Sequence, residues 1–292
     1  MTDWREVSHF LLLACSRQTR ICHFSESDMN HDHSLTSSSS SFSLFENCPE
    51  SGHLLQAGHI HVWRAIVDVP LTRLQVYQET LSPDEQGRAQ RFKDSQHRRR
   101  FTAARGILRH ILARYLRQSP RDVHFESGPF GKPFLQDPAG QSLHFNVSHS
   151  RQWAVYAVSR DLEVGIDLEE DRDSLDYAGL AERICSPEEF TVFQNLSQAE
   201  QRAAFFRCWT RKEAFVKALG HGFSFPLQNV TVTFTSDDPP RILNLQLNPS
   251  RTGSPPEDWS LFNLPLGQGF LGALAVAGKP SLIRGWDYRP EE

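Results

Sequence analysis

The chain has little of several features that would assign it to a class of protein. Its five cysteines form no Cys-x-x-Cys pair and their odd number gives no disulfide framework, so we expect a protein of the reducing cytoplasm. No apolar run approaches the length of a membrane span, which predicts no membrane association. The net charge of -4 and the pI near 6.4 argue against a protein that coats nucleic acid. The 292 residues suffice for two domains of ordinary size or for one larger unit, with a real core.

Charge is distributed unevenly along the chain. Residues 88–121 contain eleven Lys or Arg and a single acidic residue, Asp94, a net charge of +10, so the rest must sum to -14. Such a segment is compatible with a solvated helix face, a nucleic-acid patch or a site for a ligand with several phosphates. The segment is not rich in interleaved aromatic residues, which argues against a platform for single-stranded nucleic acid.

Residues 1–57 are predicted to be a disordered extension, because they contain five consecutive serines and little hydrophobic periodicity. Folded structure is expected from His59, where apolar residues alternate as in a strand. A long helix follows, with apolar residues at helical spacing from Phe101 to Tyr115. This spacing places five arginines on the flanks or the outer face of the helix: Arg100, Arg105, Arg109, Arg114 and Arg117.

The remainder of the chain reads as alternating strands and helices. Two helices each open with a serine followed three residues later by glutamate, the signature of a capping box: Ser186 with Glu189, and Ser197 with Glu200. The second of them is predicted to run from Gln198 to Leu219 and to end at Gly220. Strands are expected at 143–148, 153–158 and 164–169, and strands of a second sheet at 230–234, 242–247 and 270–277.

The order strand, helix, strands therefore occurs twice. It predicts an α+β protein with two halves of similar size, residues 58–165 and 166–292, and a cleft between them. The sequence itself shows no residue-level repeat to support the duplication.

Two carboxylates lie on one face of a predicted strand. In the segment Val164 to Glu169 the side chains alternate, so Asp167 and Glu169 point to the same side. Like charges at this spacing disfavour each other, and a divalent cation such as Mg²⁺ would relieve the repulsion. A solvated strand edge is the simpler interpretation of this pair when it is taken alone.

A third carboxylate occupies a predicted helix. Glu213 lies four residues after Trp209 and four before Lys217, so the three share one face. Taken alone, this arrangement is explained by a surface ion pair beside a core tryptophan. In the same way, His149 fits a structural hydrogen bond in a polar turn, and Lys132 fits a solvated position in a Gly-Pro-rich loop.

Taken together and in this order, four segments resemble the Sfp-type 4′-phosphopantetheinyl transferase superfamily. The resemblance covers residues 58 to about 280 and is most specific in the last two segments. They are Gly131-Lys132-Pro133-Phe134, Phe145-Asn146-Val147-Ser148-His149-Ser150, Gly165-Ile166-Asp167-Leu168-Glu169 and Trp209-Thr210-Arg211-Lys212-Glu213-Ala214-Phe215-Val216-Lys217.

The resemblance implies two similar α+β subdomains that form a pseudo-dimer with the active site between them. It also implies transfer of 4′-phosphopantetheine from coenzyme A to a serine of an apo acyl or peptidyl carrier protein, with release of adenosine 3′,5′-bisphosphate. Asp167, Glu169 and Glu213 would hold Mg²⁺; Glu213 and Lys217 would act in catalysis. The coenzyme A ligands it implies are Lys132, Ser148, His149, Arg100 and Arg105.

Three other functions compete with this interpretation. A non-catalytic module that binds carrier proteins would be expected to have a broken carboxylate set, whereas all three carboxylates are present here. A nucleic-acid-binding protein would use the basic segment 88–121 and bind with a steep salt dependence. A glycosidase is the weakest rival, because Asp167 and Glu169 are too close in sequence to flank a sugar. The chain length favours a monomer over the trimers of the smaller carrier-synthase branch.

Overall fold

The computed structural model describes residues 45–47, 54–136, 143–172, 175–220, 225–246 and 255–290. Residues Phe42–Glu292 form one compact unit. Most of the predicted extension 1–57 lies outside the described residues; within it, residues 46 and 47 form a short strand that pairs with the last strand of the chain. No helix in the described ranges is both long and apolar enough to cross a membrane.

The helices of the described residues are α1 (Leu71–Thr80), α2 (Pro83–Gln90), α3 (Ser95–Leu116), α4 (Tyr177–Ile184), α5 (Pro187–Gln194) and α6 (Gln198–Leu219). The predicted bounds of α6 are confirmed. Both long helices, α3 and α6, have 22 residues and end at a residue in the left-handed conformation, Arg117 (φ 54°) and Gly220 (φ 72°). This cap satisfies terminal carbonyls that have no partner within the helix.

The strands are β1 (Glu46–Asn47), β2 (His59–Ile66), β3 (Phe125–Ser127), β4 (Pro133–Leu135), β5 (His144–Ser150), β6 (Trp153–Ser159), β7 (Val164–Glu170), β8 (Val230–Val232), β9 (Ile242–Leu245), β10 (Trp259–Asn263), β11 (Phe270–Ala277) and β12 (Leu282–Asp287). A five-stranded sheet has the order β1-β12-β2-β6-β5, and a three-stranded antiparallel sheet has the order β10-β11-β7. The α+β class is confirmed.

The expected second sheet differs from the prediction in its membership. The segments predicted at 230–234 and 242–247 form β8 and β9, which pair only with each other among the described strands. Their place in the second sheet is taken by β10, which the sequence did not predict, and β12 joins the first sheet. Apolar alternation identifies a strand but carries no information about which strand it pairs with.

Two apolar clusters divide the layers. One lies between the five-stranded sheet and α3 and includes Trp63 and Ile107. The other joins the two sheets and contains Val62 from β2 with Ile166 and Leu168 from β7. Full burial of each such aliphatic side chain contributes about 1.5–3 kcal/mol. Because strand side chains alternate, the residues of β7 between these apolar ones face the opposite way.

The two halves repeat each other in topology. In the first, β2 is followed by α1 to α3 and β3 to β6, and β2 pairs with β6, which pairs with β5. In the second, β7 is followed by α4 to α6 and β8 to β11, and β7 pairs with β11, which pairs with β10. The predicted boundary between residues 165 and 166 falls within β7, the strand that begins the second copy.

A residue-level repeat, which the sequence analysis missed, lies in the short helices α2 and α5. Both open with a Ser-Pro-acid-Glu capping box, Ser82 to Glu85 and Ser186 to Glu189. In each half the glutamate also pairs with a buried cation of the following long helix, Arg109 in α3 and Lys212 in α6. The similarity escapes a sequence scan because it consists of four residues and one distant partner.

Arg109 therefore corrects an expectation. Helical spacing placed it on a flank or the outer face of α3, but its side chain is 2% exposed. Its Nη2 lies 2.7 Å from Oε2 of Glu85, and its Nη1 donates to the carbonyls of Pro120 and Val123. A buried charge requires such partners, and these come from segments outside the helix.

Candidate active site

The strand that carries two of the candidate ligands lies directly against helix α6. Asp167 and Glu169 are buried on β7, opposite Ala273 and Leu271 of β11. A Cβ on the neighbouring Gly165 would overlap the backbone of α6, so glycine is what allows this close approach. The predicted alternation of β7 is confirmed, with Asp167 and Glu169 on the face opposite the inter-sheet core.

Helix α6 supplies the other candidates from one face. Trp209 and Glu213 are buried, with 7% of each residue exposed, and Lys217 follows one turn later. Nε1 of Trp209 donates to Oε1 of Glu169 over 3.4 Å, so the tryptophan supports a ligand carboxylate as well as filling the core. The interpretation of this face as a solvated ion pair is wrong.

Lys217 joins the helix to the strand. Its Nζ lies 2.5 Å from Oδ1 of Asp167 and donates to Oγ of Ser148 at 3.1 Å and to the carbonyl of Ile166 at 3.3 Å. Ser148 in turn donates from Oγ to Oδ1 of Asp167 at 3.0 Å. The structure thus brings together residues from β5, β7 and α6.

The electrostatics of this cluster are dominated by negative charge. Burial and repulsion by Asp167 raise the pKa of Glu213 to about 7 and also raise the pKa of Glu169. Burial opposes the charge of Lys217, but attraction by Asp167 and Glu213 outweighs it, so the pKa of Lys217 is raised. One ammonium accompanies three buried carboxylates, and their full ionisation requires a further positive charge.

A divalent cation fits this donor set. Oδ2 of Asp167 is buried and has no hydrogen-bond partner among the described residues. Oxygen ligands from two or three carboxylates are what Mg²⁺ commonly takes from a protein when it also binds substrate phosphates. In the side-chain conformations of this structure, the oxygens of Asp167, Glu169 and Glu213 do not all lie within 4.8 Å of one another.

The one group of three potential ligand atoms within 4.8 Å in the described ranges comprises Cys185, Glu189 and Cys208. Both oxygens of Glu189 are engaged, because Oε1 accepts from the N–H of Val232 and Oε2 lies 2.5 Å from Nζ of Lys212. Burial raises the pKa of Cys208 well above its ordinary value, which keeps the thiol protonated. This group lacks the free anionic ligands that a metal requires.

Glu189 instead forms an ion pair with Lys212, a residue of the Trp209–Lys217 motif to which the sequence analysis gave no role. The Lys212 side chain is fully buried, and its Nζ also donates to the carbonyls of Ile184 and Leu227. The pair connects α5, α6 and the segment before β8 immediately beside Glu213. The capping box predicted for Glu189 is confirmed, but its ion pair with α6 could not be read from local spacing.

His149 lies within β5, not in the turn where it was expected; the residue is accessible to solvent, but the surrounding protein still desolvates its ring. Desolvation, followed by the charges of Lys217, His97, Arg88 and Arg100, lowers the pKa of His149 to about 4. The ring is therefore neutral near pH 7 in a positive environment suited to an anion. His97 and Arg88, from the start of the basic segment, were not singled out by sequence.

The other predicted coenzyme A ligands already have partners. Nζ of Lys132 donates to Oε2 of Glu163 and to the carbonyl of Ala218 at the end of α6, both over 2.8 Å. The guanidinium of Arg100 forms two 2.7 Å hydrogen bonds with Asp68. Nε of Arg105 lies 2.9 Å from Oε1 of Glu85, a residue of α2 that does not belong to the cluster.

The first half has a counterpart of the cluster without its acidity. Arg114 lies three residues before the left-handed cap of α3, as Lys217 does in α6, and its guanidinium lies over the ring of Trp63 at 5.4 Å. The position corresponding to Glu213 is His110. The duplicated fold therefore builds this carboxylate cluster in the second half alone, as far as the described residues go.

Comparison with protein families gives two adjoining matches. The model of the 4′-phosphopantetheinyl transferase superfamily matches residues 163–261. The model of the 4′-phosphopantetheinyl transferase N-terminal region matches residues 70–161. The two matches adjoin at the start of β7, where the second structural copy begins.

Individual relatives are similar over most of their length. The 4′-phosphopantetheinyl transferase HetI of Nostoc sp. is 40% identical over 235 residues, which cover 80% of this chain and 94% of the relative. The 4′-phosphopantetheinyl transferase Sfp of Bacillus subtilis is 27% identical over 179 residues, covering 60% and 77%.

Two solved structures of holo-[acyl-carrier-protein] synthases are also similar. That of Thermotoga maritima is 25% identical with a TM-score of 0.30, covering 40% of this chain and 63% of that chain. That of Helicobacter pylori, in complex with coenzyme A, is 17% identical with a TM-score of 0.29, covering 38% and 96%. On its family matches and its similarity to HetI over nearly the whole of that protein, the chain belongs to the 4′-phosphopantetheinyl transferase superfamily.

Proposed function

We propose that this chain performs the transfer of 4′-phosphopantetheine from coenzyme A to a serine of an apo acyl or peptidyl carrier protein with Mg²⁺ bound by Asp167, Glu169 and Glu213. The products are the holo carrier protein and adenosine 3′,5′-bisphosphate. The observation that carries the metal assignment is the buried Oδ2 of Asp167, which lacks a partner among the described residues beside two further buried carboxylates. When bound, the metal offsets negative charge on the coenzyme A pyrophosphate.

Glu213 and Lys217 act on the two sides of the transfer. The serine oxygen forms a bond to the β-phosphorus as the bond from that phosphorus to the bisphosphate breaks. Glu213 takes the serine proton, directly or through a water molecule. Lys217 exchanges one of its present hydrogen bonds for one to the departing bisphosphate, a role supported by its raised pKa, which keeps the ammonium charged.

His149, Arg100 and Lys132 bind the phosphates of the adenine nucleotide. The positive charges around His149 support this assignment, because they come from three separate elements and meet at an exposed ring. Lys132 and Arg100 exchange their present acidic partners, Glu163 and Asp68, for phosphate oxygens. Arg105 remains a sequence-based candidate, with Glu85 as its present partner.

The basic segment supports a nucleic-acid function less well. Four of its arginines already pair with acidic side chains, which reduces the charge available to a phosphate backbone. These pairs are Arg100 with Asp68, Arg105 and Arg109 with Glu85, and Arg121 with Glu79. We propose a cytoplasmic monomer, since a single chain supplies every residue of the cluster, with no nucleic-acid or membrane partner.

Mass spectrometry of carrier proteins tests the proposal. The purified chain is incubated with coenzyme A, Mg²⁺ and a panel of apo carriers, and each carrier is weighed. A gain equal to the phosphopantetheine arm is expected, its loss on chelation with EDTA, and its recovery when Mg²⁺ is restored. Transfer that continues undiminished in metal-free buffer with EDTA contradicts the metal assignment, and the carriers that gain mass reveal the specificity.

A further inference from the structure

Strands β5 and β7 belong to different sheets but are joined through side chains of β5. Oδ1 of Asn146 accepts a hydrogen bond from the backbone N–H of Ile166 over 3.0 Å. Two residues along each strand, Oγ of Ser148 accepts from the N–H of Leu168 over 3.2 Å. Two further along, Oγ of Ser150 accepts from the N–H of Glu170 over 3.1 Å. We call these three bonds the β5–β7 ladder.

The ladder satisfies donors that would otherwise be unpaired on the edge of β7. The opposite edge of β7 pairs with β11, and buried N–H groups need acceptors. Because the bonds advance by two residues on both strands, they specify a single register. A slip of one residue would turn the Asp167 and Glu169 side chains to the wrong face of β7.

Ser148, in the middle of the ladder, uses its whole hydrogen-bonding capacity within the protein. A hydroxyl offers one donor and two acceptor positions. Oγ accepts from the Leu168 N–H and from Nζ of Lys217, and it donates to Oδ1 of Asp167. The residue is also buried, with 7% of its surface exposed. No capacity is left for a phosphate oxygen unless one of these bonds breaks.

We infer that Ser148 is a positioning residue that fixes Asp167 and Lys217 relative to β7, with Asn146 and Ser150 holding the register on either side. The inference rests on the proposed roles of Asp167 and Lys217. It adds a positioning role to the one that the family resemblance implied for Ser148 and leaves that of its neighbour His149 untouched.

Hydrogen exchange of the backbone tests the ladder without substrate. In Ser148→Ala the amide of Leu168 loses its acceptor, and its exchange is expected to accelerate about fivefold to tenfold. Ser150→Ala, a change at a buried serine that does not contact Asp167 or Lys217 in the hydrogen bonds described above, should accelerate exchange at Glu170. Ser159→Ala is the matched control, because this buried serine of β6 accepts from the turn residue Leu162 and not from β7. Equal exchange at Leu168 in the parent and in Ser148→Ala would overturn the ladder.

Kinetics and metal binding separate positioning from ligand contact. For Ser148→Ala, kcat is expected to fall about tenfold while KM for coenzyme A stays within about twofold, because the interaction lost is with the machinery and not the substrate. Binding of Mn²⁺ to the free protein, measured by calorimetry, should weaken in parallel. Ser148→Thr, which keeps the hydroxyl, should restore both quantities. A raised KM with unchanged kcat and unchanged Mn²⁺ affinity would show that Ser148 acts as a substrate ligand alone and refute the positioning role.

The proposed metal site and the positioning role of Ser148 can fail separately. If the parent itself binds no Mn²⁺ or Mg²⁺, the metal assignment is wrong, whatever Ser148→Ala does. If the parent binds metal and Ser148→Ala binds it equally well with unchanged kcat, the positioning role is wrong while the proposed metal site stands.

Discussion

Nζ of Lys217 lies 2.5 Å from Oδ1 of Asp167, although the two residues are 50 positions apart in the sequence. The contact joins α6 to β7 and connects the two most specific motifs of the family resemblance. A buried ammonium and a buried carboxylate stabilise each other's charged forms, so a change at either one alters the other.

Replacement of Asp167 by asparagine should nearly abolish transfer. The amide side chain would keep the volume but remove one anionic ligand, and a fall of about 100-fold or more is expected in carrier loading. Glu170→Gln is the control, because this neighbouring side chain pairs with Arg151 and Arg172 outside the cluster. Mg²⁺-dependent loading by Asp167→Asn at the parental rate would contradict the assigned ligand.

Lys217→Ala should lose most of the activity through a different step. The departing bisphosphate loses its hydrogen-bond donor and Asp167 loses its counterion, so we expect kcat to fall by about 100-fold. Lys279→Ala, a change at an exposed lysine, should load carriers like the parent. The measurement is single-turnover loading of a carrier protein, and an unchanged rate in Lys217→Ala would be incompatible with the proposed role.

Glu189→Gln should weaken the fold itself. The substitution leaves the buried ammonium of Lys212 with two carbonyl partners and no counterion, which is expected to lower the free energy of unfolding by about 3–5 kcal/mol. Urea titration followed by circular dichroism measures the change. Glu188→Gln, at the exposed neighbour in the same helical turn, should leave the transition nearly unchanged. Equal stability of the two variants would show that the ion pair is unimportant.

Gly165→Ala should separate α6 from β7. The added methyl group would overlap the Ala214 carbonyl oxygen and the Ala218 nitrogen, and such overpacking lowers stability by about 1–3 kcal/mol. Transfer should also fall, since Glu213 and Lys217 move with the helix. Gly87→Ala is a matched control in α2, where a Cβ would meet nothing within 4 Å, and should stabilise the protein by about 0.5–1 kcal/mol. Thermal unfolding that ranks the two variants the other way would contradict this packing.

The ring of His149 should titrate near pH 4 in the free protein. A folded-state pKa below the unfolded value of about 6.5 means that the unfolded chain binds the proton more tightly. This group therefore reduces stability as the pH falls from about 6.5 to about 4, and not further below. A bound phosphate favours the imidazolium, so adenosine 3′,5′-bisphosphate should raise the midpoint seen by NMR, with His149→Gln identifying the resonance. A midpoint near 6.5 that the nucleotide leaves unchanged would refute the assigned environment.

Sequence patterns predicted the structure best where all the residues that define an element lie within that element. The capping serine, the αL glycine and the intervening residues defined α6 from Gln198 to Leu219, and alternation defined β7 and its two carboxylates. The counterions of the two buried cations, Arg109 and Lys212, could not be predicted from such local patterns. Each counterion sits on another helix, and a charged residue on a helix looks the same in sequence whether it faces water or a distant glutamate.

The sequence by itself determined the α+β class, the family and the residue types available for chemistry, because these follow from periodicity and from motifs contained in short contiguous segments. The tertiary structure alone decided how those residues are used. It placed Ser148 between Asp167, Leu168 and Lys217. It also left one oxygen of Asp167 without a partner among the described residues. Hydrogen-bond saturation and burial depend on what the other elements bring to the same point in space, and no single segment carries that information.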